Sequence, residues 1–109
     1  MPRLVIEEHT EEIDGHLVHW RTAPARTPEP VFWVHGVPES SRMWVPFLAR
    51  TGGIAVDLPG FGRSGKRMDL PFTLDYYAEF LGRFLDHTGI ERVRLCCHDW
   101  GAVGRAWAA

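Results

Sequence analysis

The sequence predicts an α/β fold with a mostly parallel sheet and an N-terminal β-hairpin. Three observations carry this. Val31 to Val34 and Ile54 to Val56 are unbroken apolar runs, the texture of strands buried on both faces of a parallel sheet. Helical patterns alternate with these strands, and such alternation argues for α/β architecture. Two polar–apolar stretches, residues 3–8 and 16–21, flank Asp14-Gly15, a two-residue hairpin signal.

The elements follow in order. Thr22 to Pro30 is rich in Pro and small residues and reads as a loop. The strand Val31–Val34 ends at His35-Gly36-Val37-Pro38. Ser40 or Ser41 then caps a helical turn whose inner face is Trp44, Phe47 and Leu48. Ile54-Ala55-Val56 closes at Asp57-Leu58-Pro59-Gly60, and a loop runs to Pro71. Thr73 caps the clearest helix, with Leu74, Tyr77, Leu81, Phe84 and Leu85 at helical spacing on one face. Gly89 provides the C-terminal cap, and His87 suits the last turn of the helix. Val93 to Cys97 is the next strand, ended by His98-Asp99-Trp100-Gly101 and an Ala-rich helical segment. That last helix, with Ala102, Val103, Ala106, Trp107 and Ala108, offers little polar surface and expects burial. The pattern reads as a partial domain over residues 1–109, cut in mid-fold. An edge strand and an apolar helix left uncovered would favour aggregation.

Composition narrows the function. With 109 residues, 45% hydrophobic and 24% charged, the chain is one small globular domain by length. A formal charge of -2 gives no basic face for nucleic acid. Glu7, Glu8, Glu11 and Glu12 form an acidic patch that reads as a solvated strand edge. Cys96 and Cys97 are neighbours on a strand, so they point to opposite faces and do not pair. No signal-peptide run or membrane-length apolar stretch is present, and a soluble cytoplasmic protein is expected.

Gly60-Phe61-Gly62-Arg63-Ser64-Gly65 matches a dinucleotide-binding pattern after a strand. Such a loop must run straight into a helix, and here Arg67 to Pro71 intervene. Gly60, Gly65 and Lys66 also nearly spell a phosphate-binding loop, but Arg67 replaces the required Ser or Thr. The segment reads as a tight loop with glycines at positive φ.

The sharpest feature is Cys97-His98-Asp99-Trp100-Gly101. A nucleophile elbow needs small residues two before and two after the nucleophile, because the strand turns abruptly into a helix. Cys97 and Gly101 meet that demand. An Asp at a helix start is also an ordinary N-cap, so the motif alone leaves both readings open. His35-Gly36-Val37-Pro38, at the end of an earlier strand, favours the elbow. In that arrangement the backbone N–H groups of Val37 and Trp100 form an oxyanion hole, and Gly36 permits close approach. His35 itself reads as a loop histidine bonded to backbone.

Taken together, His35-Gly36-Val37-Pro38-Glu39-Ser40, Asp57 to Ser64 and His98-Asp99-Trp100-Gly101-Ala102 resemble the epoxide hydrolase and haloalkane dehalogenase branch of the α/β-hydrolase superfamily. The resemblance covers nearly the whole chain and implies the N-terminal part of that fold, up to the start of the elbow helix. It implies Asp99 as nucleophile, no cofactor and no metal. It also implies a small-molecule substrate, an epoxide or a haloalkane, turned over through a covalent alkyl-enzyme ester. In resembling dehalogenases the residue at Trp100 holds the leaving halide. Many of these carry Asn at the place of Val37, which has no side-chain donor, so the epoxide reading is preferred. The family's histidine base and supporting acid come late in the sequence and do not occur in these residues. His98 adjoins Asp99 and cannot fold back as the base. The third reading is therefore an inactive, truncated remnant. A metal site at Cys96, Cys97, His98 and Asp99 fails because consecutive strand residues alternate faces. A serine esterase fails because Ser40, Ser41 and Ser64 have no elbow around them.

Overall fold

The computed structural model describes residues 2–66 and 73–99. The predicted terminal helix, Trp100 and residues 67–72 of the loop to Pro71 lie outside them. The elements are β1 (Glu7–Ile13), β2 (His16–Ala23), β3 (Val31–Val34), a 3-10 turn (Ser41–Trp44), α1 (Val45–Thr51), β4 (Gly53–Val56), α2 (Leu74–Thr88) and β5 (Arg94–Cys97). The sheet has five strands in the order β1-β2-β4-β3-β5. β3 pairs in parallel with both β4 and β5, while β2 runs antiparallel to β1 and β4. Four of these strands therefore point one way, and β2 opposes them.

The hairpin forms at the predicted turn, but its first strand lies later than residues 3–8. Asp14 (φ 52°) and Gly15 (φ 85°) both adopt the left-handed conformation that a tight hairpin turn demands. Ile13 must then face His16, and the ladder runs back from there to Glu7 opposite Thr22. Residues before it do other work. The Leu4 N–H donates to the Ala49 carbonyl of α1 at 2.7 Å, and Leu4 and Ile6 pack against the core cluster that includes Trp33 and Trp44.

The sheet is covered on both faces, and strand alternation assigns the sides. Phe32, Val34, Ile54 and Val56 face α2, where they meet Tyr77, Phe80, Leu81, Phe84 and Leu85. Val31, Trp33 and Ala55 face the other way, toward Trp44 and Leu48. Cys97 packs with the first cluster and Cys96 with the second. Two predicted inner-face residues are displaced. Leu74 is 52% exposed, and Phe80 fills the stripe instead. At about 3.6 residues per turn the stripe centres on Tyr77, Phe80, Leu81 and Phe84, leaving Leu74 at its margin in the first turn. Phe47 is 49% exposed, with its ring against Trp33 and Trp44 at the rim. Here the 3-10 turn ends at Trp44, and the helix that follows turns Leu48 and Ala49 inward.

Local capping follows the sequence. The Thr73 hydroxyl accepts the Tyr76 N–H at 3.1 Å, and Gly89 (φ 75°) closes α2 in the left-handed conformation. Ser40 caps the 3-10 turn, accepting the Arg42 N–H at 3.2 Å. Ser41 is buried and bonds elsewhere, its hydroxyl accepting from the Arg21 guanidinium.

The loop after β4 wraps a buried carboxylate. Asp57 Oδ1 accepts the Ser41 N–H at 2.6 Å, and Oδ2 accepts the Arg63 N–H at 2.9 Å. Gly62 (φ 54°) sits so close over this group that a Cβ there would come within 2.4 Å of Oδ2. The Ser64 hydroxyl donates to the Asp57 carbonyl at 2.6 Å and accepts the His19 N–H at 3.0 Å. The glycines thus serve a tight turn around Asp57. Replacing Asp57 with Ala would strand one buried and one part-buried N–H donor, so we expect a loss of about 1–4 kcal/mol in urea unfolding. An unchanged midpoint would show that the carboxylate does not organise this loop.

Candidate active site

Parallel pairing of β3 with β5 sets Val34 beside Cys97 and Phe32 beside Leu95. The two strands therefore end together, and sites in such sheets lie beyond the carboxyl ends of the strands. The His98 N–H donates to the Val34 carbonyl at 3.1 Å, carrying the pairing one residue past the ladder. The chain then turns sharply at Asp99, whose φ of 55° is left-handed for a residue with a side chain. Backbone held in that region costs free energy and recurs at functional turns.

Gly36 lies directly against this turn. A Cβ at Gly36 would come within 2.4 Å of the Asp99 Cβ and 2.8 Å of the His98 carbonyl oxygen. Only glycine lets the two backbones approach this far. The approach brings the Val37 N–H to Asp99 Oδ2 at 3.3 Å.

The orientation of that N–H is fixed from its other end. The Gly36 carbonyl and the Val37 N–H belong to one planar peptide group and point in opposite directions. The carbonyl accepts from His35 Nδ1 at 2.7 Å and from the Glu39 N–H at 3.0 Å. Anchoring the carbonyl this way aims the N–H at Asp99. The next peptide, Val37-Pro38, is cis.

His35 is fully buried, and both its ring nitrogens are used on backbone. Nε2 accepts the Leu58 N–H at 2.9 Å, so the proton resides on Nδ1, where it is donated to Gly36. Burial lowers the pKa of this ring, against smaller opposing effects from the Gly36 bond and the Asp57 and Glu39 charges. The neutral form is thus the one built into the site.

His98 is exposed, and its Nδ1 lies 2.8 Å from Glu39 Oε1. Neither histidine near Asp99 directs its ring to the carboxylate among the described residues. Glu39 enters the sequence reading only within the motif that carries the resemblance, and its link to His98 is not read there. The only signal for its role was an acid three residues after Gly36, a spacing at which a side chain can accept a backbone N–H. Of the predicted site residues, Asp99 and the Val37 N–H are brought together, and Trp100 lies outside the described residues. Among the described residues, no group of three His, Cys, Asp or Glu side chains is arranged to hold a metal ion. No described helix is long and apolar enough to cross a membrane.

A layered sheet with a sharp strand-end turn, facing a glycine loop on the neighbouring strand, defines a hydrolase-type scaffold. The chain belongs to the alpha/beta hydrolase fold family, whose model matches residues 29–109. It is 35% identical over 94 residues to a haloalkane dehalogenase of Psychrobacter cryohalolentis, covering 79% of this chain and 30% of that protein. It is equally 35% identical over 108 residues to an epoxide hydrolase of Siraitia grosvenorii, covering 90% of this chain and 31% of that one. The chain thus spans about a third of the length of these relatives. A solved haloalkane dehalogenase of Agrobacterium tumefaciens superposes with a TM-score of 0.82 at 28% identity, over 94% of this chain and 36% of that chain.

The lowered pKa of His35 has a consequence for stability. In the unfolded chain the ring titrates near its ordinary value of 6.5, and in the folded protein it does so at lower pH. Its contribution is complete above that value, and is lost as pH falls from there toward the folded pKa, because the unfolded state binds the proton first. Unfolding midpoints should therefore drop on acidification, with a shallower drop in His35→Asn. Identical pH slopes in the two proteins would rule His35 out as the titrating group.

Proposed function

We propose that this chain supplies the nucleophile and half of the oxyanion hole of a cytoplasmic hydrolase that works through an aspartyl ester, with a small epoxide as substrate. The observation that carries the proposal is the Val37 N–H directed at Asp99 Oδ2, 3.3 Å away, at the left-handed turn that follows β5.

In this reading Asp99 Oδ1, the oxygen not facing Val37, attacks an sp³ carbon of the substrate. The carbon–oxygen bond of the ring breaks, and the ring oxygen leaves with the electron pair and takes a proton from an acid assigned, like the base, outside this chain. The product of this half is an ester between Asp99 and the alkyl group. Water then adds to the ester carbonyl, and negative charge collects on Oδ2. The Val37 N–H already lies there, and the Trp100 N–H is the expected second donor. Collapse breaks the bond between the carboxyl carbon and the alkyl oxygen, releasing a diol and restoring Asp99.

The water needs a base. His35 is committed to two backbone groups and His98 to Glu39, so neither serves. The base is assigned to a residue outside this chain, together with the acid that supports it. On this reading the 109 residues alone do not turn over substrate. Whether a longer natural protein completes the site or the chain is an inactive remnant is decided by activity of the natural gene product.

A haloalkane substrate is the second reading. It is favoured by Trp100 next to the nucleophile, whose indole N–H suits a leaving halide, and by similarity to proteins named haloalkane dehalogenases. Against it, Val37 contributes only a backbone donor, since its side chain is aliphatic.

Asp99→Asn in the protein as it occurs in its source should lower turnover of styrene oxide, or of bromobutane on the second reading, by at least about a thousandfold. Activity equal to wild type would remove Asp99 from the chemistry.

A further inference from the structure

We propose that Glu39 is a positioning residue that clamps the oxyanion loop to the nucleophile turn through His98. The inference rests on the proposed function, because it concerns how Val37 and Asp99 are held to each other during ester hydrolysis.

Three contacts converge on Glu39. Its backbone N–H donates to the Gly36 carbonyl at 3.0 Å. Its Oε1 accepts the Gly36 N–H at 3.0 Å. The same oxygen lies 2.8 Å from His98 Nδ1. Gly36 is thus held at both its N–H and its carbonyl by one residue.

The His98 contact adds what the loop alone lacks. The β3–β5 ladder ends at Val34 opposite Cys97, and the His98 N–H on Val34 is its last backbone bond. Beyond it backbone pairing stops among the described residues, although the Gly36 loop and the Asp99 turn stay in close contact. Among the described residues, the side-chain bond from Glu39 to His98 is one of two polar links between the loop and the turn. The other is the Val37–Asp99 contact itself, which at 3.3 Å is long. The Glu39 side chain is about a quarter exposed and the His98 side chain over half exposed (27% and 58%). A lone ion pair at that exposure adds little stability. Its effect is geometric: it sets the distance between an N–H donor and the carboxylate it must stabilise as charge develops.

The prediction separates the two half-reactions. Of the loop and the turn, ester formation uses only the Asp99 carboxylate, whereas ester hydrolysis needs the Val37 donor in place. In the natural protein, with styrene oxide as probe, Glu39→Ala and His98→Ala should each slow hydrolysis of the Asp99 ester by about tenfold. Ester formation should stay within about twofold, so the ester accumulates on the Asp99 peptide in rapid-quench mass spectrometry. Glu39→Gln, which keeps the acceptor oxygen, should recover most of the rate. The double Ala variant should be no slower than the slower single variant, because both remove one link. Normal ester hydrolysis in His98→Ala, or full additivity in the double variant, would overturn the clamp while leaving Asp99 as nucleophile. Should Glu39→Ala fail to fold, the His98→Ala and Glu39→Gln rates decide the matter alone. A wild type that forms no ester on Asp99 would instead overturn the proposed function. In that case the clamp, which concerns hydrolysis of that ester, falls with it.

Discussion

Two parallel strands ending at the same level constrain everything else in this molecule. With β3 and β5 in register, the loop after one must pass against the turn after the other. The contact is close enough that a Cβ on Gly36 would lie 2.4 Å from that of Asp99. A donor and a carboxylate from distant parts of the chain then face each other without either residue needing a long side chain. The rest of the fold holds these strands in place. Two-sided burial by α1 and α2 fixes the face each strand residue presents, and a slip of one residue would exchange the faces.

Around this contact, polar groups are used to orient backbone. His35 and Asp57 are both buried, and each bonds to main-chain groups. His35 joins the loop after β3 to Leu58 after β4, while Asp57 ties the same β4 loop to Ser41 and Arg63. Burying such groups is costly unless they are bonded, and here their partners are satisfied at the same time. The hairpin is drawn into the system as well. Glu8 on the edge strand lies within ion-pair distance of His19, Arg21 and Arg63, and the Arg21 guanidinium reaches Ser41. The acidic patch read from the sequence as a solvated edge is exposed, but part of it also links the hairpin to the loop over Asp57.

The parts legible in the sequence were those whose cause is local. Asp14-Gly15 marks the hairpin because both residues tolerate positive φ, and Thr73 and Gly89 mark α2 because capping depends on neighbours a few residues away. The apolar runs marked β3 and β4 because a buried parallel strand has no polar face. The limits of β1 were misplaced because pairing, not the polarity of residues 3–8, determines where a strand starts. Periodicity points Leu74 and Phe47 inward because it gives direction around a helix but not how far the core extends along it. Within the site, Asp99 and Val37 were legible because their motifs punctuate strand ends. Glu39 was not, since its partner His98 lies 59 positions away and only the strand pairing makes them neighbours.

The central claim is that Asp99 attacks carbon and is regenerated by water. It is tested most directly by a single turnover of styrene oxide in isotopically labelled water, with the natural protein in excess. Mass analysis of the Asp99 peptide then reads where the oxygen went. Attack of water on the ester carbonyl predicts heavy oxygen in the Asp99 carboxylate and none in the diol of that first turnover. Heavy oxygen in the diol with an unlabelled Asp99 would mean that water attacks the substrate directly, and would contradict the account.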